Sequence, residues 1–562
     1  MVRVTQGGVT RRTLGFIAAV AFLALGSAGA AGADTRVTND TDGNYQRYDG
    51  SVDDTMLSCS TGRRTQNEPS VAVDPRNSAV MVAGSNDYCA EIKNGSGNVW
   101  AGYYRSTDGG TTWSNSLVPG YPADDSAAAT TSPAHGSCAA AGDPTQSFDG
   151  EGHLYYGFIC FNRAQPTNGS LYLARYDNDG ATYVRTVRVE RGTPSVWGVF
   201  QDKINVAVDQ STETPTAGNV YVAWARYSGQ AANNRIYFTR STDGGLTFSK
   251  PVQLTGGQAE EQFADIGIGP DGAVYVTYRE IAHQKSTENR VRIVRSTDGG
   301  QTFSAPSTIA AIDPFDSTDY GPDTCGDGPF ACDSGLTYAR FSSLSAVAAD
   351  ATGVHVVWSA RDEDGQAKIF ASNSPDGLSW SGEGAPLDTV PAGHQFFPDI
   401  ASGGGTLSVV FQDSRADGAY SPDLPPGNTA GGANSGDGVH AFVARSTDGG
   451  AAWTESQVSG AGTNMNWEVR GSMRSPFFGD YNYVSAVGAT TGSVWTDTRD
   501  LDPGTDPRET GADDDADGFD GAQSCAWEPN DINAPSYSSP TIADPCMSDG
   551  GLDQNIYVAK TP

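Results

Sequence analysis

Five short segments repeat almost letter for letter along this chain, and repetition of that kind leaves few architectures open. They are Arg105-Ser-Thr-Asp-Gly-Gly-Thr-Thr-Trp113, Arg240-Ser-Thr-Asp-Gly-Gly-Leu-Thr-Phe248, Arg295-Ser-Thr-Asp-Gly-Gly-Gln-Thr-Phe303, the shortened Ser374-Pro-Asp-Gly-Leu-Ser-Trp380 and Arg445-Ser-Thr-Asp-Gly-Gly-Ala-Ala-Trp453. Tyr176-Asp-Asn-Asp-Gly-Ala-Thr-Tyr183 is a decayed sixth copy. Each reads as a hairpin turn: the Asp accepts backbone hydrogen bonds across it, a Gly takes the positive-φ position, and the aromatic packs sideways between units.

Upstream of each turn lie two apolar or alternating runs joined by Gly, Asp or Asn, which is the pattern of paired strands. Examples are Pro69-Ser-Val-Ala-Val-Asp74 with Val80-Met-Val-Ala-Gly84, and Ile204-Asn-Val-Ala-Val-Asp209 with Asn219-Val-Tyr-Val-Ala-Trp224. With the two strands flanking each turn, every unit holds four strands at a period of roughly 50 to 80 residues, which predicts the blades of a propeller. Trp224, Trp358 and Trp495 fall on second strands and are expected between blades. Counting first strands near Glu68, Asp143, Lys203, Phe263, Phe341, Phe397 and Tyr481 predicts an all-β chain forming a single seven-bladed β-propeller, with six blades as the alternative. The last unit, ending in Gln554-Asn-Ile-Tyr-Val-Ala559, lacks the turn and an outer strand. An open edge exposes unpaired backbone groups, so the segment 34–64 is expected to supply the closing strand of a propeller occupying 65–562.

The repeated turns resemble the Asp-box, or BNR, repeat of the sialidase-like superfamily. That resemblance implies a propeller whose active face lies away from the turns, an acidic sugar as substrate, three arginines that grip its carboxylate, and a tyrosine nucleophile helped by a glutamate. The segment before the first turn, Arg63-Arg-Thr-Gln-Asn-Glu-Pro69, differs from the F/Y-R-I-P of sialidases. No arginine triad is therefore carried over residue by residue.

Alternating strand direction itself puts the starts of first strands and the ends of second strands on the face opposite the turns. Second strands end in Asn86-Asp87-Tyr88, Arg163, Arg226, Arg279-Glu280, Arg361-Asp362, Asp413-Ser-Arg415 and Asp497-Thr-Arg499-Asp500. First strands begin at Glu68, Asp143, Asp202-Lys203, Gln262, Arg340, Gln395 and Asp480-Tyr481. Guanidinium groups bind carboxylates bidentately, so Arg279, Arg340, Arg361, Arg415 and Arg499 are the candidate substrate-binding residues. The competing reading is that such arginines form ion pairs holding blades together. Glycoside hydrolysis also needs an acid and a nucleophile or base, and Glu68, Asp202, Asp480 and Tyr481 are the candidate catalytic residues.

Outside the repeats, Arg3, Arg11 and Arg12 precede an apolar stretch from Leu14 to Leu25 and a small-residue site at Ala31-Gly32-Ala33. This predicts a signal peptide over 1–33 and a secreted, extracellular protein, by the general route or by a twin-arginine one. No other stretch approaches the roughly 18 apolar residues of a membrane span. Eight cysteines in an exported chain predict disulfides, paired by neighbourhood as Cys59–Cys89, Cys138–Cys160, Cys325–Cys332 and Cys525–Cys546. A formal charge of −32 argues against nucleic acid as a partner. Asp513, Asp515 and Asp517, followed by Gly518, open like a calcium loop, with Ser524 where Glu would complete it. A structural calcium ion there and a flexible acidic loop are the two readings. No cofactor is required.

The functional expectation is a sialidase-like, glycan-active, monomeric protein acting as a glycoside hydrolase on an acidic sugar. A non-catalytic propeller that binds glycan or protein is the alternative, and a polysaccharide lyase the third.

Overall fold

In a computed structural model the chain is all-β, and the described residues fall within the compact unit 31–562. The structure describes residues 34–561 apart from 40–42, 61–64, 91–98, 163–167, 194–197, 230–233, 257–259, 283–287, 317–339, 381–383, 464, 466–476, 501–553 and most of 418–437. The signal peptide, Arg163, Cys325, Cys332, Cys525, Cys546, Asp513, Asp515 and Asp517 lie outside the described residues.

The strands form four-stranded antiparallel meanders. Sheet 1 runs Gln66–Asp74, Asn77–Asp87, Trp100–Ser106, Ser114–Leu117; sheet 2 runs Ala140–Phe148, Leu154–Asn162, Asn168–Asp177, Thr182–Glu190. Sheet 3 runs Val199–Val208, Val220–Ser228, Arg235–Ser241, Val252–Gln253, and a single parallel bridge from Phe200 to Gly169 joins it to sheet 2. Sheets 4, 5 and 6 begin with Glu260–Ile268, Ser345–Asp350 and Gln395–Gly403. Sheet 7 is built from Tyr483–Val487, Thr490–Asp497 and Asn555–Thr561, and its outer strand is Thr35–Arg36, paired antiparallel with Val558 and Tyr557. The first strands touch in order from sheet 1 to sheet 7, and that of sheet 7 touches that of sheet 1. This is the arrangement of a β-propeller.

Apolar side chains of consecutive sheets interlock, which is why the second strands read as nearly continuous apolar runs. Ile159, Leu171 and Leu173 of sheet 2 pack on Ile204, Val206 and Trp224 of sheet 3, and Val410 and Val443 of sheet 6 pack on Val484 and Trp495 of sheet 7. Trp224, Trp358 and Trp495 are fully buried between sheets, each at most 1% exposed.

The repeated turns share one geometry. Asp108 Oδ1 accepts from the backbone of Thr111 at 3.0 Å and Thr112 at 2.9 Å, and Ser106 Oγ accepts from Gly110 N at 2.9 Å. The same bonds recur around Asp243, Asp298 and Asp448. Several turns also touch their neighbours: Arg105 donates to Asp179 O, Arg185 to Gly244 O, and Arg240 to Gly299 O. These contacts hold the turns on one rim.

Cys59 is bonded to Cys89 and Cys138 to Cys160, the pairs that neighbourhood predicts. The first of these ties the short helix Asp54–Cys59 to the end of a second strand. Among the described residues no helix is long and apolar enough to cross a membrane.

Candidate functional site

One backbone device builds the site. In five first strands the register shifts by a bulge, between Asn67 and Ser70, Gly142 and Thr145, Asp202 and Asn205, Gln262 and Asp265, and Phe396 and Asp399. Inside each bulge sits one non-glycine residue in the left-handed region: Glu68 (φ 54°), Asp143 (52°), Lys203 (50°), Phe263 (58°) and Phe397 (54°). Such a conformation costs an ordinary residue about 1–2 kcal/mol, so its recurrence marks a position the ring imposes. Left-handed residues break the alternation of the strand. They therefore present their side chains around the axis, where first strands converge.

The residues divide the axis by chemistry. Phe341, Phe396, Phe397, Phe478 and Tyr481 form an apolar cluster, with Phe263 packed against it. Glu68, Asp143, Asp202, Lys203 and Asp480 form the ionic part. Lys203 joins the two, its Nζ lying 2.9 Å from the centre of the Tyr481 ring. Backbone-to-side-chain bonds fix the register: Asp143 N donates to Asn86 Oδ1 at 2.9 Å, and Lys203 N donates to Asp143 Oδ2 at 3.2 Å. Asn86 Nδ2 donates to Glu68 Oε2 at 2.6 Å. Gly479, at φ 93°, lies so close to Glu68 that a Cβ there would come within 2.9 Å of its backbone nitrogen, so this position admits only glycine without a shift.

Burial governs the protonation states. Glu68 is 3% exposed, and burial, the charges of Asp143 and Asp480 and a side-chain hydrogen bond with Asp143 hold its carboxyl well above the usual range. Asp202 is pushed up to about 7 by burial and then by Asp143. Burial lowers the Lys203 ammonium, while the four carboxylates work against that shift. Tyr481 is raised by burial and by Glu68, which keeps its phenol protonated.

The structure thus brings together all four residues expected to be catalytic, Glu68, Asp202, Asp480 and Tyr481. The arginines fare differently. Arg279, 2% exposed, is clamped by Asp316 at 2.6 and 2.5 Å, with Ser343 O and Asn289 as further partners. Arg415 is held by Asp413 at 2.5 Å, Glu455 at 3.0 Å and Asp388 at 3.2 Å. Arg499 is held by Asp497 at 2.6 Å and Asp34 at 2.7 Å. Asp413-Ser-Arg415 and Asp497-Thr-Arg499 repeat one clamp, in which the Asp also accepts from the arginine's own backbone N–H. Arg361 donates to Gly365 O and Pro422 O and stacks on Phe315. Arg340 alone of the five meets the ionic cluster, paired with Asp480 and 42% exposed at its side chain.

Asp143 and Lys203 belong to the site and were legible only as strand starts. The available signal was their place at the same first-strand position as Glu68. Below the cluster, a cavity of about 30 Å³ is lined by Lys203, Asn205, Asp265, Asp399, Asn482 and Tyr483 among others. At the turn end of the axis lies an open depression of about 440 Å³, walled by the first hairpins of sheets 3 to 6.

Fold and site together define an all-β, propeller-type protein with a carboxylate-rich axial centre. No family model matches the chain, and no curated protein matches it. Solved structures do. A protein of unknown function from Dyadobacter fermentans is 14% identical, covering 62% of this chain and 91% of its own, with a TM-score of 0.38. The leech intramolecular trans-sialidase is 12% identical, covering 68% and 67%, at 0.40. The GH93 α-L-arabinofuranosidase of Fusarium graminearum is 12% identical, covering 68% and 93%, at 0.38. Similarity at this level assigns neither a family nor an activity to the chain.

Proposed function

We propose that the chain is a secreted seven-bladed propeller that hydrolyses a glycosidic bond at the axial centre. The observation that carries this reading is the convergence of Glu68, Asp143, Asp202 and Asp480 on one face, where burial and neighbouring carboxylates raise Glu68 well above the usual range and Asp202 to about 7. Paired carboxyls held in different states are what glycoside hydrolysis requires. Glu68, kept neutral by burial and by Asp143, donates the proton to the leaving oxygen. Asp202, near neutrality in its titration, accepts a proton from the attacking water. Tyr481, kept as a phenol, acts as a hydrogen-bond donor and not as the nucleophile that the sialidase resemblance implies. An acidic sugar would bind through Arg340 by exchanging Asp480 for the sugar carboxylate. Calcium at Asp513, Asp515 and Asp517 remains part of the proposal as a stabiliser of that loop, and the two disulfides accord with export.

The test is release of a fluorophore from a panel of sialosides, uronides and neutral glycosides. Hydrolysis of at least one, reduced 100-fold or more in Asp202→Asn, and in Glu68→Gln on the corresponding alkyl glycoside, supports the reading. Equal rates in wild type and both variants overturn the assignment. A second reading, a propeller that binds glycan without turnover, draws support from the arginines that carboxylates already occupy. It predicts a silent panel together with retention on immobilised glycan.

A further inference from the structure

Six carboxylates bear on a single ammonium along the axis. Glu68, Asp143, Asp202 and Asp480 act on Lys203 from above, and Asp265 and Asp399 each feel it from below. Asp265 and Asp399 also repel one another, and Asp399 is only 8% exposed. Carboxyl groups in this excess over a single ammonium offer oxygens that can ligate a further cation.

The lower pair already serves the ring. Asp265 accepts from Val347 N at 2.7 Å and from Asn205 Nδ2 at 2.8 Å, and Asp399 accepts from Val484 N at 2.7 Å. Each carboxylate oxygen has two lone pairs, so these bonds leave acceptor capacity toward the cavity. An independent feature points the same way. Asn482 is 2% exposed and lines the cavity; its Nδ2 donates to Phe397 O, while its Oδ1 has no hydrogen-bond partner. A buried amide oxygen left without a donor is costly, and a cation satisfies it. The cavity, about 30 Å³, has room for an ion with one or two waters.

We propose that the axial cavity holds one calcium ion, ligated by Asp265, Asp399 and the side-chain oxygen of Asn482. The donors are all hard oxygens, and two carboxylates match a divalent charge, which favours calcium over softer metals. The ion sits beneath Lys203 and ties sheets 4, 6 and 7 at the axis. The site is distinct from the acidic loop at Asp513, and it does not depend on the hydrolytic reading.

The experiment uses the full chain stripped with EGTA and titrated with calcium by calorimetry, with melting followed in parallel. The triple variant Asp513→Asn, Asp515→Asn, Asp517→Asn is expected to keep one calcium site. Asp399→Asn, which retains an acceptor for Val484 N, is expected to bind calcium at least 10-fold more weakly at that site. Asn482→Asp adds a charge to the ligand set and is expected to bind several-fold more tightly, melting lower than wild type in EGTA and higher in calcium. Should Asp399→Asn fail to fold, Asn482→Asp decides alone. Loss of all calcium binding in the loop variant, absence of any calcium binding in wild type, or an Asn482→Asp protein whose affinity and melting ignore calcium would each overturn the assignment.

Discussion

Arg340 and Asp480 stand 140 positions apart in the chain and meet in a two-pronged ion pair, Nε to Oδ1 at 2.8 Å and Nη2 to Oδ2 at 2.6 Å. Arg340 precedes the first strand of sheet 5 and Asp480 that of sheet 7, so the pair reaches past sheet 6 across the axial end. It is the place where an incoming anion would compete directly with a protein carboxylate.

Removing Arg340 is therefore expected to cost little stability, about 1 kcal/mol or less, because its side chain is 42% exposed and solvent screens the pair. Arg279→Ala behaves differently: its guanidinium is buried at 2%, and its loss leaves Asp316, still bonded to Ser343 N–H, without its cation and Ser343 O without that donor, for about 3–5 kcal/mol. Denaturant melts of the two variants check the contrast. If an acidic sugar is the substrate, Arg340→Ala raises KM at least tenfold, whereas Arg279→Ala, once corrected for folding, leaves it unchanged.

A second expectation concerns pH. Asp202 titrates at about 7 in the folded chain against an ordinary 3.8. An acid whose pKa is raised by folding binds its proton more tightly in the native state, so its contribution to stability is fullest below about pH 4. That contribution falls as pH rises from there to about 7 and is constant above. Asp202→Asn removes the titration, and the gap between variant and wild-type melting temperature should widen between pH 5 and pH 8. A gap that is constant over that range would show that Asp202 titrates normally.

How much of this was legible in the sequence depends on the distance over which the physics acts. The turns at Asp108, Asp243 and Asp298 are local, since residues two to four apart supply their bonds, and their letters suffice to read them. First strands are legible as well, because Glu68, Asp143, Lys203, Phe263 and Phe397 recur at equivalent positions. What those residues do is not. The sequence contains no mark of the left-handed bulge, and Lys203 becomes the centre of a carboxylate ring only when first strands hundreds of residues apart converge. The arginines show the reverse error: as a column of strand ends they look like a binding set, whereas Asp388, Glu455 and Asp316, which engage Arg415 and Arg279, lie in segments with no repeat to announce them.

The turns carry a prediction of their own. Hydrogen bonds from Thr302 and neighbouring groups outweigh burial and lower Asp298 to about 2, so its carboxylate stays ionised to strongly acid pH. By the linkage sign for a depressed acid, the stability it supplies is present above about pH 4 and is lost as pH falls through about 2. Asp298→Ala removes the same bonds at neutral pH and should cost about 1 kcal/mol, comparable to loss of a helix cap. Its melting temperature should then converge on that of wild type in strong acid. Equal stability at pH 7 would mean that the Gly299-Gly300 turn folds without its carboxylate.

The sharpest prediction falls on Glu68 and Asp143, whose side chains are hydrogen-bonded to each other. Two carboxyls bond in this way only when one carries a proton, and burial assigns it to Glu68, 3% exposed. Glu68→Gln preserves shape, neutrality and a donor toward Asp143, so the variant should melt within a degree or two of wild type at neutral pH. Only the transferable proton is lost. A proton donor matters most when the departing group is a poor one. Glu68→Gln should therefore lower kcat 100-fold or more on glycosides with alkyl leaving groups and much less on nitrophenyl glycosides. A uniform loss across leaving groups would assign Glu68 to positioning, and an unchanged rate on both would place it in the scaffold alone.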